Sequence, residues 1–190
     1  RLDLAVDIIE ILRRQERRFQ LHVKGKMPQE YPWMRRRREE SQYYEDQMDR
    51  IKNSDLLKDA VHFDGWGDDM PEWYQKIGFV LSTSDFEGSH VTVAEGAASG
   101  AVPVLLRWEG ADEVYPPDWS YNSTDEAAAA ILSIVTAGRF EEMGRARQAH
   151  ARKDFDIDRI TRAWLEIIES DGSSIDKTAT SNSALQRHGM

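Results

Sequence analysis

Residues 77–106 read IGFVLSTSDFEGSHVTVAEGAASGAVPVLL. The apolar runs at 77–83 and 102–106 are typical of strands that are buried on both faces. Between them, a glycine-containing turn leads into a stretch of small residues that predicts a helix over 91–99. Strand, helix and strand in this order predict a βαβ unit with parallel strands.

Two glutamates, Glu87 and Glu95, bracket the turn of this unit. A helix that begins at about His90 points its free N–H groups into the turn, where they favour an anion. Glu95 would lie in the second turn of that helix, and Glu87 would face the same space from the loop. Two acceptor carboxylates beside an anion site suit a ligand that carries both phosphate and sugar hydroxyls.

The rest of the chain alternates predicted strands with predicted helices. Strands are expected over 19–24 and 60–64, and helices from residue 2, over 34–53, 69–77, 125–137 and 139–153, and from 157 to 168. Beyond residue 107 the pattern loosens. The predicted fold class is therefore α/β, a Rossmann-like parallel sheet with helices on both faces. Ligands of such sheets bind beyond the carboxyl ends of the strands.

The domain limits follow from the two ends of the sequence. The first helix is amphipathic from its first residues, so we expect a domain over 1–169 that is truncated at its N-terminus. From residue 170 the chain is rich in Ser, Thr, Asp and Asn and poor in apolar residues, which predicts a disordered tail over 170–190.

Composition excludes several classes of function. The 190 residues include no cysteine, which rules out disulfides, thiolate metal sites and a cysteine nucleophile. A net charge of -9 argues against nucleic-acid binding. The histidines show no metal-ligand spacing, so no metal is expected. No apolar run approaches the ~20 residues of a membrane span, so a cytoplasmic protein is expected. Arg35–Arg38 are interpreted as a solvated helix face, with contact to an anionic membrane surface as the alternative.

Residues 85–104 resemble the E-x7-E region of retaining GT-B glycosyltransferases, especially glycosyltransferase family 4. In that family a glutamate and a glycine turn precede a second glutamate eight residues on. Small residues, a glycine and Pro-Val then follow, as Gly100 and Pro103 do here. Residues 109–114 resemble the next glycine-and-acid segment of the family. The resemblance covers about 1–168 and implies the C-terminal, donor-binding half of a two-domain fold.

The resemblance also implies roles for individual residues. Glu95 would accept hydrogen bonds from the ribose of a nucleotide diphosphate sugar. Glu87, as the catalytic residue, would contact the donor sugar or stabilise positive charge near its anomeric carbon. The donor would also be held by Gly88, Ser89, His90, Val91, Thr92, Lys26 and Arg1. The family often has Phe-Gly where this chain has Ser89-His90, so the turn is expected to differ.

The implied function is transfer of a sugar, with retention, from a nucleotide diphosphate sugar to a glycan, lipid or cell-surface polymer. The donor is a substrate, and no cofactor is implied. The acceptor would bind a missing N-terminal domain, so the fragment alone is expected to be inactive. Fold does not fix function. A nucleotide-sugar epimerase and a non-catalytic nucleotide-sugar-binding or scaffold domain therefore stay open as alternatives.

Overall fold

The structure, a computed structural model, describes residues 1–170. The chain divides into two compact units, Arg1–Ala151 and Arg152–Met190. The first unit contains every strand of the described residues, and the second begins within the last helical turn of α7 and includes α8. The predicted domain limit at residue 169 stays a prediction. The predicted disordered tail lies outside the described residues, apart from Ser170.

Strands and helices alternate along the described residues. The strands are β1 (Leu21–Lys24), β2 (Val61–Gly65), β3 (Phe79–Ser82), β4 (Val102–Leu106) and β5 (Ser120–Tyr121). The α-helices are α1 (Leu2–Gln15), α2 (Arg38–Asn53), α3 (Met70–Tyr74), α4 (Val91–Ala98), α5 (Ala111–Val114), α6 (Thr124–Thr136), α7 (Phe140–Asp154) and α8 (Ile157–Glu169). Single 3₁₀ turns lie at Pro28–Glu30, Met34–Arg36 and Pro117–Trp119.

The strands form two parallel sheets where the sequence predicted one. One sheet pairs β1 with β2, and the other has the order β3-β4-β5. The division arises because β1 and β3 do not hydrogen-bond to each other. In the strand order 3-2-1-4-5-6 of doubly wound folds, β2 and β1 correspond to the strands numbered 3 and 2, and β3, β4 and β5 correspond to those numbered 4, 5 and 6. The division between the two sheets falls where the strand numbered 1 stands in that order.

One hydrophobic core joins both sheets to helices α1 and α6. Helix α1 buries Val6, Ile9 and Leu12 at helical spacing, as its sequence predicts. Both sheets and α6 contribute to the same cluster through Leu21, Val61, Val104, Leu106, Ala127, Ala128 and Ile131. Full burial of one such aliphatic side chain is worth about 1.5–3 kcal/mol. This core is therefore what holds the separate sheets in one unit.

Strand β4 carries a proline although it has a neighbour on each side. Pro103 lies opposite Val80 of β3, and β4 pairs with the short β5 at Leu105 and Leu106. The pairing with β5 does not reach Pro103, so at this residue β4 has no strand neighbour on the β5 side. A proline, which has no N–H to donate, is tolerated at such an edge. All five residues of β4 are buried, as expected of a central parallel strand.

The loosely patterned segment after β4 is more ordered than its sequence indicated. It forms α5, a 3₁₀ turn and β5. Trp119 is fully buried and stacks on Tyr115, with ring centroids 5.7 Å apart. Elements this short show no hydrophobic periodicity in the sequence, so the sequence pattern did not predict them. Helix α6 then begins at Thr124, after the N-cap residue Ser123, whose side chain accepts a hydrogen bond from the Glu126 N–H.

Helix α4 packs unusually close to β3, and Gly96 allows it. A Cβ added at Gly96 would lie 2.7 Å from Cγ1 and 2.8 Å from Cβ of Val80, a buried residue of β3. No real Cβ tolerates such distances, so a larger residue would push the helix away from the sheet. The position of α4 therefore depends on a glycine in its second turn.

We predict that Gly96→Ala destabilises the protein by up to about 2 kcal/mol. Overpacking costs about 1–3 kcal/mol, and the better helix propensity of alanine offsets about 1 kcal/mol of it. Gly88→Ala is the matched control, because a Cβ at Gly88 meets no atom within 4 Å. Urea unfolding should show a lower midpoint for Gly96→Ala and little change for Gly88→Ala. Equal stability of both variants would contradict the close packing.

Candidate functional site

The loop over residues 83–90 connects the carboxyl end of β3 to the N-terminus of α4. Arg1 lies against this loop, as its predicted role requires. Its carbonyl oxygen accepts a hydrogen bond from Thr83 Oγ1 at 2.8 Å. Its guanidinium pairs with Asp3 at 2.8 Å and Asp85 at 2.9 Å. Hydrogen bonds to Asp3 and then Asp85 raise the pKa of Arg1. Arg1 is thus close to the loop, but carboxylates already hold its charge.

Glu87 is held in the loop by a neutral donor. Ser84 Oγ donates to Glu87 Oε1 at 2.6 Å, and His90 Nδ1 lies 3.8 Å from the same oxygen. The side chain of Glu87 is 29% exposed. Its other carboxylate oxygen accepts no hydrogen bond from the described residues. Glu87 therefore retains a free acceptor at the carboxyl edge of the sheet.

His90, the N-cap residue of α4, is fixed at two points. Its Nδ1 lies 2.7 Å from Oγ of Ser82, the fully buried last residue of β3. Its carbonyl oxygen accepts a hydrogen bond from the Tyr115 hydroxyl at 2.8 Å. The φ angle of His90 is -73°. The turn is therefore built without the positive φ that a glycine at this position would permit.

Glu95 lies in the second turn of α4, as predicted, and its side chain is exposed. The Tyr74 hydroxyl donates to Glu95 Oε2 at 3.0 Å. Burial, and then the neighbouring Glu95 carboxylate, raise the pKa of Tyr74 to about 12. The phenol therefore stays protonated at neutral pH. It holds Glu95 in place without neutralising its charge.

The backbone amides at the start of α4 divide into two groups. The Val91 N–H donates to the Ser89 carbonyl at 2.8 Å, and the Val93 N–H donates to the His90 carbonyl at 2.9 Å. The N–H groups of His90 and Thr92 have no acceptor among the described residues. An anion at this helix end would meet these two amides directly. To use the predicted Val91 N–H, it would have to displace an internal bond.

Gly88 and Lys26 are the remaining residues that were predicted to contact the donor. Gly88 leaves open space where a side chain would be, which suits close approach of a ligand to the backbone. Lys26 is exposed in the loop after β1, and no contact within residues 1–170 connects it to Glu87 or Glu95. The neighbouring Lys24 is largely buried and pairs with Asp69 at 2.7 Å. The predicted contact of Lys26 with the donor stays a prediction.

Sequence reasoning missed the residues that hold this site together. They are four hydroxyl-bearing side chains: Ser82, Ser84, Tyr74 and Tyr115. Ser82 gave a weak signal, as a polar residue that closes an apolar strand. The two tyrosines gave none, because their partners lie 21 and 25 residues away in the chain.

Two general features of the site region concern metals and membranes. Residues 1–170 contain no group of three or more His, Asp or Glu side chains placed to hold a metal ion. The expectation that no metal is used stays a prediction. Within the same residues, no helix is long and apolar enough to cross a membrane.

The sequence matches the family described as glycosyl transferase-like over residues 6–166. The chain belongs to this family. No curated protein matches the sequence significantly. The resemblance identified from the E-x7-E region is thus confirmed at the level of a glycosyltransferase GT-B domain.

Solved structures show the same fold at low sequence identity. S. aureus TarM has a TM-score of 0.69 and 17% identity over 90% of this chain, which spans 32% of TarM. Anabaena HepE, crystallised with UDP-glucose, has a TM-score of 0.62 and 17% identity over 87% of this chain, which spans 53% of HepE. Both are GT-B glycosyltransferases, so the predicted fold class is confirmed. This glycosyltransferase domain spans a third to about half of their lengths.

We predict that Tyr74 and Glu95 are energetically coupled through their hydrogen bond. Tyr74→Phe should destabilise the domain by about 1 kcal/mol, the net value of a typical hydrogen bond. In a double-mutant cycle with Glu95→Ala, urea unfolding should give a coupling energy of about 0.5–1.5 kcal/mol. Tyr44→Phe is the control, because it also removes a phenolic hydroxyl, while the contact of Tyr44 with Tyr43 is made by the ring, which phenylalanine keeps. Strictly additive effects of Tyr74→Phe and Glu95→Ala would contradict the coupling.

Proposed function

We propose that this domain binds the donor of a retaining glycosyltransferase, which moves a sugar from a nucleotide diphosphate sugar. One observation carries the proposal. Glu87 and His90 lie between the carboxyl end of β3 and the N-terminus of α4, and Glu95 lies in the second turn of α4, in a chain of the glycosyl transferase-like family. Ligands of parallel sheets bind at this edge. The crystal structures of HepE with UDP-glucose and of a TarM variant with UDP support a nucleotide donor.

The diphosphate is proposed to lie at the start of α4. The His90 and Thr92 amides point their N–H groups toward it, and the helix dipole adds positive potential at this end. Arg1 adds a cation beside the loop if an anion draws it away from Asp85. Gly88 lets the ligand approach the backbone. These groups would stabilise the negative charge that develops on the leaving diphosphate.

The two glutamates are proposed to bind the other parts of the donor. Glu95 keeps a carboxylate oxygen that is not used by Tyr74, and it would accept hydrogen bonds from the ribose hydroxyls. Glu87 would contact the sugar, where its negative charge stabilises an oxocarbenium-like centre. The hydroxyl partners of both carboxylates are neutral and therefore do not pair with their charge. Catalysis would then depend on positioning and charge stabilisation rather than on a covalent cofactor.

The acceptor is proposed to bind to the part of the full-length protein that this chain does not include. The acceptor would be a glycan, a lipid or a cell-surface polymer, and this chain alone would bind donor without transferring its sugar. A cytoplasmic location with peripheral membrane contact also stays a proposal. It is based on the arginine run at 35–38, of which Arg35 and Arg36 are exposed.

Glu95→Ala should weaken binding of the nucleotide donor by about tenfold or more, because it removes a charged acceptor from the ribose hydroxyls. The measurement is calorimetry with UDP, GDP, CDP, ADP and their common sugar conjugates. Glu141→Ala is the matched control, since Glu141 is an exposed glutamate of α7 paired with Arg145. Unchanged affinity in Glu95→Ala, with selective binding by the wild type, would contradict the assigned site.

Glu87→Ala in the full-length protein separates the proposed function from the two alternatives. A transferase should keep donor binding and lose sugar transfer. Unchanged biological activity of this variant would favour a scaffold domain. Conversion of the donor sugar by the wild type without any acceptor would favour an epimerase.

A further inference from the structure

The environment of His90 fixes the position of its ring and also which ring nitrogen carries the proton. The ring is 22% exposed, and its Nδ1 lies 2.7 Å from Ser82 Oγ. Its Nε2 has no hydrogen-bond partner within residues 1–170. A neutral imidazole carries its proton on one nitrogen, and the partner of the other nitrogen decides which. The contact with Ser82 therefore decides whether Nε2 is a donor or an acceptor.

Two groups compete for Nδ1. The Ser82 hydroxyl either donates to Nδ1 or accepts from it, whereas the Glu87 carboxylate, 3.8 Å away, only accepts. If Ser82 donates, the proton of the neutral ring lies on Nε2. If Glu87 prevails, the proton lies on Nδ1, and Nε2 presents a lone pair. A lone pair repels an anion, and an N–H attracts it.

We propose that Ser82 is a positioning residue that keeps the proton of neutral His90 on Nε2, from which it is donated to the ligand's diphosphate. The ligand class rests on the proposed function above. The serine is fully buried, so it does not itself contact the ligand. Its effect passes through the imidazole. It applies to the neutral ring alone, because a protonated imidazole donates from both nitrogens.

The groups that face His90 make this a test that depends on pH. Glu87 faces it from the same loop, Ser82 from β3 and Tyr115 from the end of α5. Burial raises the pKa of Tyr115 to about 12, so this phenol stays neutral below that pH. Asp85 in the loop is paired with Arg1. A histidine changes charge between about pH 5 and 8.

The tautomer is measured directly by two-bond ¹H–¹⁵N correlation spectra of the chain labelled with ¹⁵N-histidine, at pH 8. His90→Gln assigns the signals of His90. We expect the Nε2–H tautomer in the wild type, the Nδ1–H tautomer in Ser82→Ala, and recovery of Nε2–H in Ser82→Thr, which restores a hydroxyl. An Nδ1–H tautomer in the wild type, or an unchanged tautomer in Ser82→Ala, would overturn the proposal. This readout needs no ligand.

The consequence for the ligand is measured by calorimetry with UDP-glucose at pH 8 and at a lower pH. Its diphosphate is esterified at both ends and keeps the same charge over this range. Ser82→Ala should bind about tenfold more weakly than the wild type at pH 8. At the lower pH, chosen so that the ¹⁵N spectra show both ring nitrogens protonated, the two should bind alike. Ser120→Ala is the matched control, since Ser120 is a buried serine of β5 whose Oγ has no hydrogen-bond partner within residues 1–170.

The outcomes separate this inference from the proposed function. An equal loss of affinity at both pH values would mean that Ser82 has a structural role, and it would overturn the proposal. Full affinity of Ser82→Ala at pH 8 would overturn it as well. If the wild type shows the Ser82-dependent tautomer but binds neither UDP-glucose nor any other nucleotide or sugar conjugate of the calorimetric panel, the diphosphate part of the inference fails together with the proposed donor. The tautomer assignment then stands.

Discussion

The close contact between α4 and β3 is the constraint on which the rest of the site depends. Gly96 lets the helix lie so near the sheet that a single added carbon would meet Val80 at 2.7 Å. Interiors are packed too tightly to absorb such a carbon without movement. This contact sets where α4 begins, and so where the loop from β3 must turn. That turn positions Glu87 and His90, and the helix positions Glu95.

The charged groups of the site have partners of two kinds. The carboxylates of Glu87 and Glu95 are bonded to neutral hydroxyls, from Ser84 and Tyr74. The nearby cation of Arg1 is instead paired with carboxylates. A hydroxyl orients a carboxylate without cancelling its charge. The arrangement therefore keeps both carboxylates available to hydrogen-bond donors and holds positive charge at the edge of the loop.

How much the sequence predicted depended on how local each feature is. Residues 77–106 carry their own strand, turn and helix signals, so the βαβ unit and the places of Glu87, His90 and Glu95 were predictable. The short elements α5 and β5 were not, because the buried Trp119 between them packs against His150 and Arg147, which are distant in the sequence. The hydrogen-bond partners of the site residues could not be predicted either. Tyr74 and Tyr115 reach the site through tertiary contacts that have no local pattern.

A crystal structure of this chain with UDP-glucose would locate the donor site outright. The proposed site predicts ribose hydroxyls within hydrogen-bond distance of Glu95 and the diphosphate at the His90 and Thr92 amides. It also predicts the sugar beside Glu87. A nucleotide bound elsewhere on the domain, with the loop over residues 83–90 left empty, would contradict it.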